Sequence, residues 1–249
     1  MRPQSASRTS SCFLFIHVMK TAGTTFAWDI RRQWSASEIY PSREVEPIGP
    51  DPYQHMSHVA ALSPERRATI RVFTGHFPFM LRDLLGTNVV TMTLLRDPIT
   101  RTISALKHFK RLDRYRDLSL ESIYDDRQIF RPWIENHQTK VFALRPDDNK
   151  DSIGCGLTID DARFDHALQN LSQVDVLGLT ESYSDFFDEI RSRFGWWRGG
   201  RPAGVPKNVS DETWDADRRL RQRISTDNAY DMELYRRAAE LVAHRYAHR

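Results

Sequence analysis

Residues 20–25 read KTAGTT and follow directly on a short apolar run at 13–18, just before an amphipathic segment begins. This pattern predicts a buried strand, a loop and then a helix. The first N–H groups of a helix are unpaired, and its dipole favours an anion. Gly23 allows a close approach to the backbone, the threonines supply hydroxyl donors and Lys20 adds a positive charge. The loop therefore predicts a phosphate-binding site.

The order of these residues differs from two familiar phosphate loops. The P-loop of nucleoside triphosphatases places its lysine directly after a second glycine, whereas Lys20 precedes the single glycine of this loop. The dinucleotide-binding pattern G-x-G-x-x-G is also missing from the sequence. The alternative interpretation of the loop is an ordinary helix start that happens to carry a lysine, but the combination of residues favours an anion site.

A second polar group follows the apolar run at 88–95. Arg96 stands at the end of this predicted strand, Asp97 is a typical helix N-cap and Pro98 a typical first helical residue. The helix has one polar face, formed by residues three and four positions apart: Arg101, Ser104 and His108. Arg96 and Ser104 predict a clamp for a second phosphate. A solvated basic face explains the same pattern.

Alternating strands and helices must position these residues. Short apolar runs without polar alternation predict four buried parallel strands, at 13–18, 69–74, 88–95 and 174–179. Helical periodicity lies between them, and the last helix is expected at 228–245. We therefore expect a P-loop-like three-layer α/β fold, with a central parallel sheet flanked by helices. In such a sheet the carboxyl ends of the strands share one edge, where ligands bind.

The remaining segments complete the predicted organisation. Residues 1–12 are expected to form a flexible N-terminus, and 13–249 a single domain. Residues 35–66 contain five prolines and no clear period, which indicates a surface excursion. The composition of 145–158 and 195–211 predicts loops.

Charge and cysteine content exclude few functions. The net charge is +3, but residues 96–116 hold seven Arg or Lys against two Asp, which fits an anionic ligand or a solvated surface. Cys12 and Cys155 form no metal-binding or redox pattern, so no disulfide framework is expected. No apolar run approaches the ~20 residues of a membrane span. These observations predict a cytoplasmic protein without a transmembrane segment or a bound metal.

The two polar groups together resemble a known family. HVMKTAGTTF is similar to the 5′-phosphosulfate loop of sulfotransferases, P-K-T/S-G/A-G-T/S-T/S, and RDPITRTISALKH to their 3′-phosphate motif, R-D-P-x-x-R-x-x-S. Three further segments resemble the branch that contains the heparan-sulfate 2-O-sulfotransferases: TGHFPF, ENHQTKVFA and NAYDMELYRRA. The likeness spans roughly residues 13–245 in the same order. Met19 departs from the family pattern, which has proline there.

The resemblance implies a function and a donor. A sulfotransferase moves a sulfuryl group from 3′-phosphoadenosine 5′-phosphosulfate to an acceptor hydroxyl, here expected on a carbohydrate or glycolipid, and needs no metal. The residues implied for the 5′-phosphosulfate are Lys20, Thr21, Ala22, Gly23, Thr24 and Thr25. Arg96 and Ser104 are implied for the 3′-phosphate, and Lys20 for stabilising the leaving oxygen.

The acceptor side of the site is less sharply defined. His76, in TGHFPF, is implied as the catalytic base, with His137 as a rival, whereas His17 is interpreted as a core residue. Arg101 and one of Asn136 and Gln138 are expected to contact the acceptor. The aromatic pair at 196–197 beside Arg198 and Arg201 is compatible with a sugar-stacking loop and with a core position.

Two other functions remain open from sequence alone. A P-loop-type kinase or other nucleotide phosphotransferase would require magnesium and a nucleoside triphosphate. A non-enzymatic polyanion-binding protein would use the basic segment 96–116 and lose affinity steeply with salt. We expect no nucleic-acid partner; a homo-oligomer is compatible with the sequence.

Overall fold

The carboxyl edge of a parallel sheet carries the segments identified above. The computed structural model describes residues 12–46, 55–148, 153, 156–197 and 218–247. Within them, five strands form one sheet in the order β2-β3-β1-β4-β5, and every neighbouring pair is parallel. The strands are β1 (Cys12–Ile16), β2 (Ile39–Tyr40), β3 (Val72–Gly75), β4 (Val89–Leu95) and β5 (Val176–Leu179).

Helices follow or precede each strand. The described α-helices are α1 (Gly23–Gln33), α2 (Met56–Ala60), α3 (Pro64–Thr69), α4 (Leu81–Leu85), α5 (Pro98–Phe109), α6 (Leu120–Asp125), α7 (Arg127–Ile129), α8 (His137–Ala143), α9 (Asp161–Ser172), α10 (Tyr183–Phe194), α11 (Arg218–Asp227) and α12 (Ala229–Ala247). A short π-helical segment, Phe130–Ile134, joins α7 to the loop before α8.

The central strand separates two hydrophobic layers because successive side chains of a strand point to opposite faces. Phe13 and Phe15 pack into a cluster with side chains of α1 and α10. Leu14 and Ile16 pack into a second cluster with side chains of α8, α9 and α12. The predicted three-layer α/β fold with a central parallel sheet is therefore confirmed.

The four predicted strands are present, with bounds that differ from the prediction by at most three residues. The prediction for 35–66 is wrong in part, because its described residues include β2, α2 and α3. With only two residues, β2 is too short to show a pattern, and its place in the sheet comes from the pairing of Ile39 with Val72 of β3. The final helix is found as predicted, as α12.

Several predictions fall on residues outside the described ranges. These are residues 1–11 of the expected flexible N-terminus, most of 149–155 including Cys155, and 198–217 with Arg198 and Arg201. Among the described residues, no helix combines the length and the apolar composition needed to cross a bilayer.

Candidate anion-binding site

The register of the sheet brings the predicted segments together. β1 is the middle strand, and its last residue, Ile16, pairs with Gly75 of β3 and with Thr93 of β4. His17 and His76 are the next residues on adjacent strands. The end of β4 lies on the other side of β1 and leads into Arg96. The 20–25 loop, the TGHFPF segment and the RDP segment therefore meet at one edge.

The loop after β1 presents unpaired backbone donors. Lys20 and Ala22 have positive φ angles of 69° and 63°, and Thr21 between them does not. Such alternation turns successive N–H groups towards one side, which creates an anion-binding concavity. Ala22 is the N-cap of α1 and supplies no side-chain hydrogen bond. Within the described part of the chain, the N–H groups of residues 20–25 have no acceptor.

The threonines of the loop have different roles. Thr21 is fully buried, and its hydroxyl donates to Val18 O at 2.9 Å. The expectation that this hydroxyl donates to a ligand is therefore not met, because its proton holds the loop together. Thr24 is exposed and Thr25 is half-buried, so both side chains remain accessible.

A glycine is required at position 23 because the His17 ring occupies the space of a Cβ atom there. A Cβ placed on Gly23 would lie 1.9 Å from Cδ2 and 2.4 Å from Nε2 of His17. Its φ is not in the left-handed region, so the constraint is close packing and not backbone conformation. The missing side chain lets the half-buried His17 ring lie against the start of α1.

Positive charge concentrates at this loop. Arg96 donates from Nη1 to Lys20 O at 3.3 Å, so the two predicted phosphate contacts adjoin each other. Burial lowers the pKa of the Lys20 ammonium, and the nearby guanidinium groups of Arg111, Arg96 and Arg101 lower it further. Among the described residues, no carboxylate forms a salt bridge with Lys20, Arg96 or Arg111.

Helix α5 begins as the sequence indicated, but its polar face differs from the prediction. Asp97 accepts a hydrogen bond from Thr100 N at 2.9 Å, as an N-cap should. Arg101 belongs to the predicted polar side of the helix but is fully buried, so it does not reach solvent. It donates to Trp133 O at 2.8 Å and to Met19 O at 3.5 Å. These bonds anchor the loop and leave Arg101 with no exposed surface for an acceptor.

The other two residues of the predicted polar face, Ser104 and His108, lie on the same side of α5 as Arg101. His108 is exposed, and burial of part of its ring, then the charges of Lys20 and Arg111, lower its pKa. Ser104 is half-buried, and it lies on the same side of the helix as Arg101 and His108. Its hydroxyl has no hydrogen-bond partner among the described residues. Ser104 therefore shares the side of α5 on which Arg101 bonds Met19 O and His108 senses the charge of Lys20.

His76 is held in one tautomer. Its Nδ1 lies 2.6 Å from His17 O, and because a carbonyl oxygen only accepts, Nδ1 carries the proton. In the neutral ring the lone pair then resides on Nε2. The rings of His17 and His76 lie 4.4 Å apart at an interplanar angle of 32°. Burial lowers the pKa of His17 well below its usual value, and the neighbouring His76, Arg31 and Lys20 add to this effect.

The rival histidine occupies a closed environment. His137 is fully buried, its Nδ1 lies 3.3 Å from Pro132 O, and its Nε2 has no hydrogen-bond partner among the described residues. Burial, followed by the charge of Arg101, lowers its pKa well below 6.5. A substrate hydroxyl has no access to this ring, whereas the His76 ring is only half-buried.

Asn136 and Gln138 are committed to hydrogen bonds within the chain. Asn136 Oδ1 accepts from Asp231 N at 3.1 Å, and its own N–H donates to Asn228 Oδ1 at 2.8 Å. Gln138 is fully buried and bonds the backbone of Arg96. Their geometry indicates support of the site; nothing in it indicates contact with an acceptor.

The aromatic candidates belong to the core. Trp196 and Trp197 are 3% and 6% exposed, and they pack against Phe13 and Phe187 respectively. Phe26, which directly follows the loop in the sequence, is likewise a core residue, fully buried against Phe15 and two further aromatic rings. The sugar-stacking interpretation of 196–197 is therefore wrong, and the core interpretation is confirmed.

Sequence reasoning missed two members of the site. The sequence interpretation places His17 in the core, although a residue that directly follows the middle strand must lie at the ligand edge. Arg111 was counted within the basic segment but not singled out, since it lies beyond the end of α5. No group of three or more His, Cys, Asp or Glu in the described ranges is arranged to hold a metal ion.

The burial of His137 predicts a pH-dependent stability. Its pKa is lowered in the folded protein, so the unfolded chain binds the proton first as the pH falls below 6.5. The free energy of unfolding should therefore decrease on acidification, by up to about 1.4 kcal/mol per pH unit from this group. In urea titrations from pH 7.5 to 5, His137→Phe should show a smaller slope against pH. An unchanged slope would contradict this account.

The contact between Gly23 and His17 predicts a coupled pair of substitutions. Alanine normally stabilises a helix relative to glycine, but Gly23→Ala should cost about 1–3 kcal/mol because its methyl group overlaps the His17 ring. Adding His17→Ala should restore much of the loss. Chemical denaturation of the single and double variants measures this coupling, and strictly additive effects would show that the two residues do not compete for space.

The comparisons with known proteins supply no relative from which a function could be inferred. No protein-family model matches the sequence, and a search of curated proteins finds no significant relative.

Proposed function

We propose that this protein is a sulfotransferase that uses 3′-phosphoadenosine 5′-phosphosulfate as its donor. The observation that carries the proposal is the concentration of unpaired cations at the start of α1, where Lys20 and Arg96 adjoin and no described carboxylate pairs with them. A ligand with two anionic groups matches this arrangement better than one with a single phosphate. The likeness of both segments to the family motifs supports the same donor.

The donor is assigned to two groups of residues. The unpaired N–H groups of 20–25, the Lys20 ammonium and the accessible hydroxyls of Thr24 and Thr25 would hold the 5′-phosphosulfate. Arg96 and Ser104 would hold the 3′-phosphate. Arg101, fully buried, would contribute by anchoring the loop at Met19.

The chemistry follows from the groups at the sheet edge. His76 Nε2 would accept the proton of the acceptor hydroxyl while that oxygen attacks sulfur. The bond between sulfur and the bridging phosphate oxygen breaks, and 3′-phosphoadenosine 5′-phosphate leaves with its electron pair on that oxygen. Lys20 would stabilise this developing charge. Catalysis of this type depends mainly on positioning and charge neutralisation.

The acceptor is proposed to be a carbohydrate or glycolipid hydroxyl. This part rests on the motif likeness, because the tryptophans of 196–197 are core residues. A screen of purified glycans and small alcohols with radiolabelled donor would identify the acceptor.

Ligand-dependent stabilisation tests the donor assignment. 3′-Phosphoadenosine 5′-phosphate at 100 times its dissociation constant should stabilise the native state by about 2.7 kcal/mol, which raises Tm by several degrees. ATP with magnesium is the control and should stabilise it less. If only ATP with magnesium raised Tm, the chain would be a nucleotide phosphotransferase and the proposal would be wrong.

Substitutions separate binding from chemistry. Lys20→Ala and Arg96→Ala should each weaken binding of 3′-phosphoadenosine 5′-phosphate by about 10- to 100-fold, since each removes a charged hydrogen-bond donor. His76→Ala should retain donor affinity but lower turnover of an identified acceptor by about 100-fold or more. Calorimetry and a radiolabel transfer assay measure the two quantities.

The matched control is His166→Ala. This half-buried histidine lies on α9 and bonds Asn170, away from the sheet edge. Its loss should leave affinity and turnover close to those of the unchanged protein. Normal turnover in His76→Ala would remove His76 from the mechanism.

A further inference from the structure

The Gln138 side chain is joined to the backbone of Arg96. Its Oε1 accepts from Arg96 N at 3.0 Å and its Nε2 donates to Arg96 O at 2.8 Å. The carboxamide therefore pairs both polar backbone groups of this residue, much as a neighbouring strand would. Gln138 itself has no exposed surface, whereas Arg96 is half-buried, so the two bonds join a core side chain to the rim of the site.

A second residue fixes the helix that carries Gln138. Asp231 of α12 accepts from the backbone N–H groups of Gln138 at 3.1 Å and Thr139 at 2.7 Å. It also accepts from the Thr139 hydroxyl at 2.8 Å. These bonds satisfy donors at the start of α8 that would otherwise be unpaired in the core.

The start of α12 is in turn held by Asn136, the residue directly before α8. Asn136 Oδ1 accepts from Asp231 N at 3.1 Å, while Asn228 Oδ1 accepts from Asn136 N at 2.8 Å. The two helix starts thus cap each other, and all of these side chains are at most 8% exposed. The position of Gln138 is set by this buried network and not by solvent.

We propose that Gln138 is a positioning residue that holds Arg96 in the orientation needed to bind the second phosphate of the ligand. The inference rests on the proposed function. Arg96 is fixed at two points, its backbone by Gln138 and its Nη1 by Lys20 O. Without the bonds from Gln138, the backbone at the end of β4 becomes more mobile. The Arg96 guanidinium must then be ordered when the ligand binds, which weakens the affinity for the second phosphate.

The effect is specific for one part of the ligand, and this specificity makes it testable. Isothermal titration calorimetry is performed with adenosine 3′,5′-bisphosphate, which is 3′-phosphoadenosine 5′-phosphate, and with adenosine 5′-monophosphate. The dissociation constant of the monophosphate divided by that of the bisphosphate measures the contribution of the 3′-phosphate. Gln138→Leu should reduce this ratio by about 10-fold, since it removes two hydrogen bonds to the Arg96 backbone. Gln138→Met, which keeps the length of the side chain, should act in the same way if the leucine variant folds poorly.

The matched control is Asn170→Leu. Asn170 of α9 donates from Nδ2 to Phe142 O of α8 at 2.8 Å. This variant therefore removes a carboxamide hydrogen bond at the end of α8 opposite to Gln138. It should lower Tm but keep the ratio, since Arg96 is not touched.

The outcomes separate this inference from the proposed function. A ratio unchanged in a folded Gln138 variant, or a loss equal for both ligands, overturns the positioning role while the donor assignment stands. If the protein without substitutions binds neither nucleotide, both the positioning role of Gln138 and the donor assignment are wrong.

Discussion

Repulsion among like charges at the end of the central strand is the constraint on which the site depends. Lys20, Arg96 and Arg111 lie close together, beside the positive end of α1, and no described carboxylate pairs with them. Such an arrangement opposes folding, so other parts of the molecule must stabilise it. A multiply charged anion would offset the repulsion and add hydrogen bonds to the unpaired loop N–H groups.

The supporting structure is built from buried polar contacts. Arg101 lies under the loop and bonds Met19 O, and burial lowers its pKa to about 10 although the charge of Asp231 acts in the opposite direction. Gln138 holds the Arg96 backbone. Gly23 leaves room for His17, whose carbonyl fixes the tautomer of His76. These contacts come from different elements, and each one restrains a group that faces the same edge of the sheet.

Local signals in the sequence are sufficient to predict the fold and the sheet edge at which the candidate residues gather. Four apolar runs and the N-cap pair Asp97–Pro98 depend on neighbouring residues, and the structure contains all of them. Tertiary contacts were not visible in the pattern. The spacing of Arg101 indicated a polar face, but bonds to carbonyl groups of distant segments make its burial favourable. Likewise, nothing near Gln138 in the sequence indicates that its partner is 42 positions away.

The most direct measurement of the central claim is a crystal structure of the protein with adenosine 3′,5′-bisphosphate. We expect the 5′-phosphate within about 3.2 Å of the loop N–H groups and Lys20 Nζ, and the 3′-phosphate at the same distance from the Arg96 guanidinium. A nucleotide bound away from the 20–25 loop, or an Arg96 side chain directed away from it, would contradict the account.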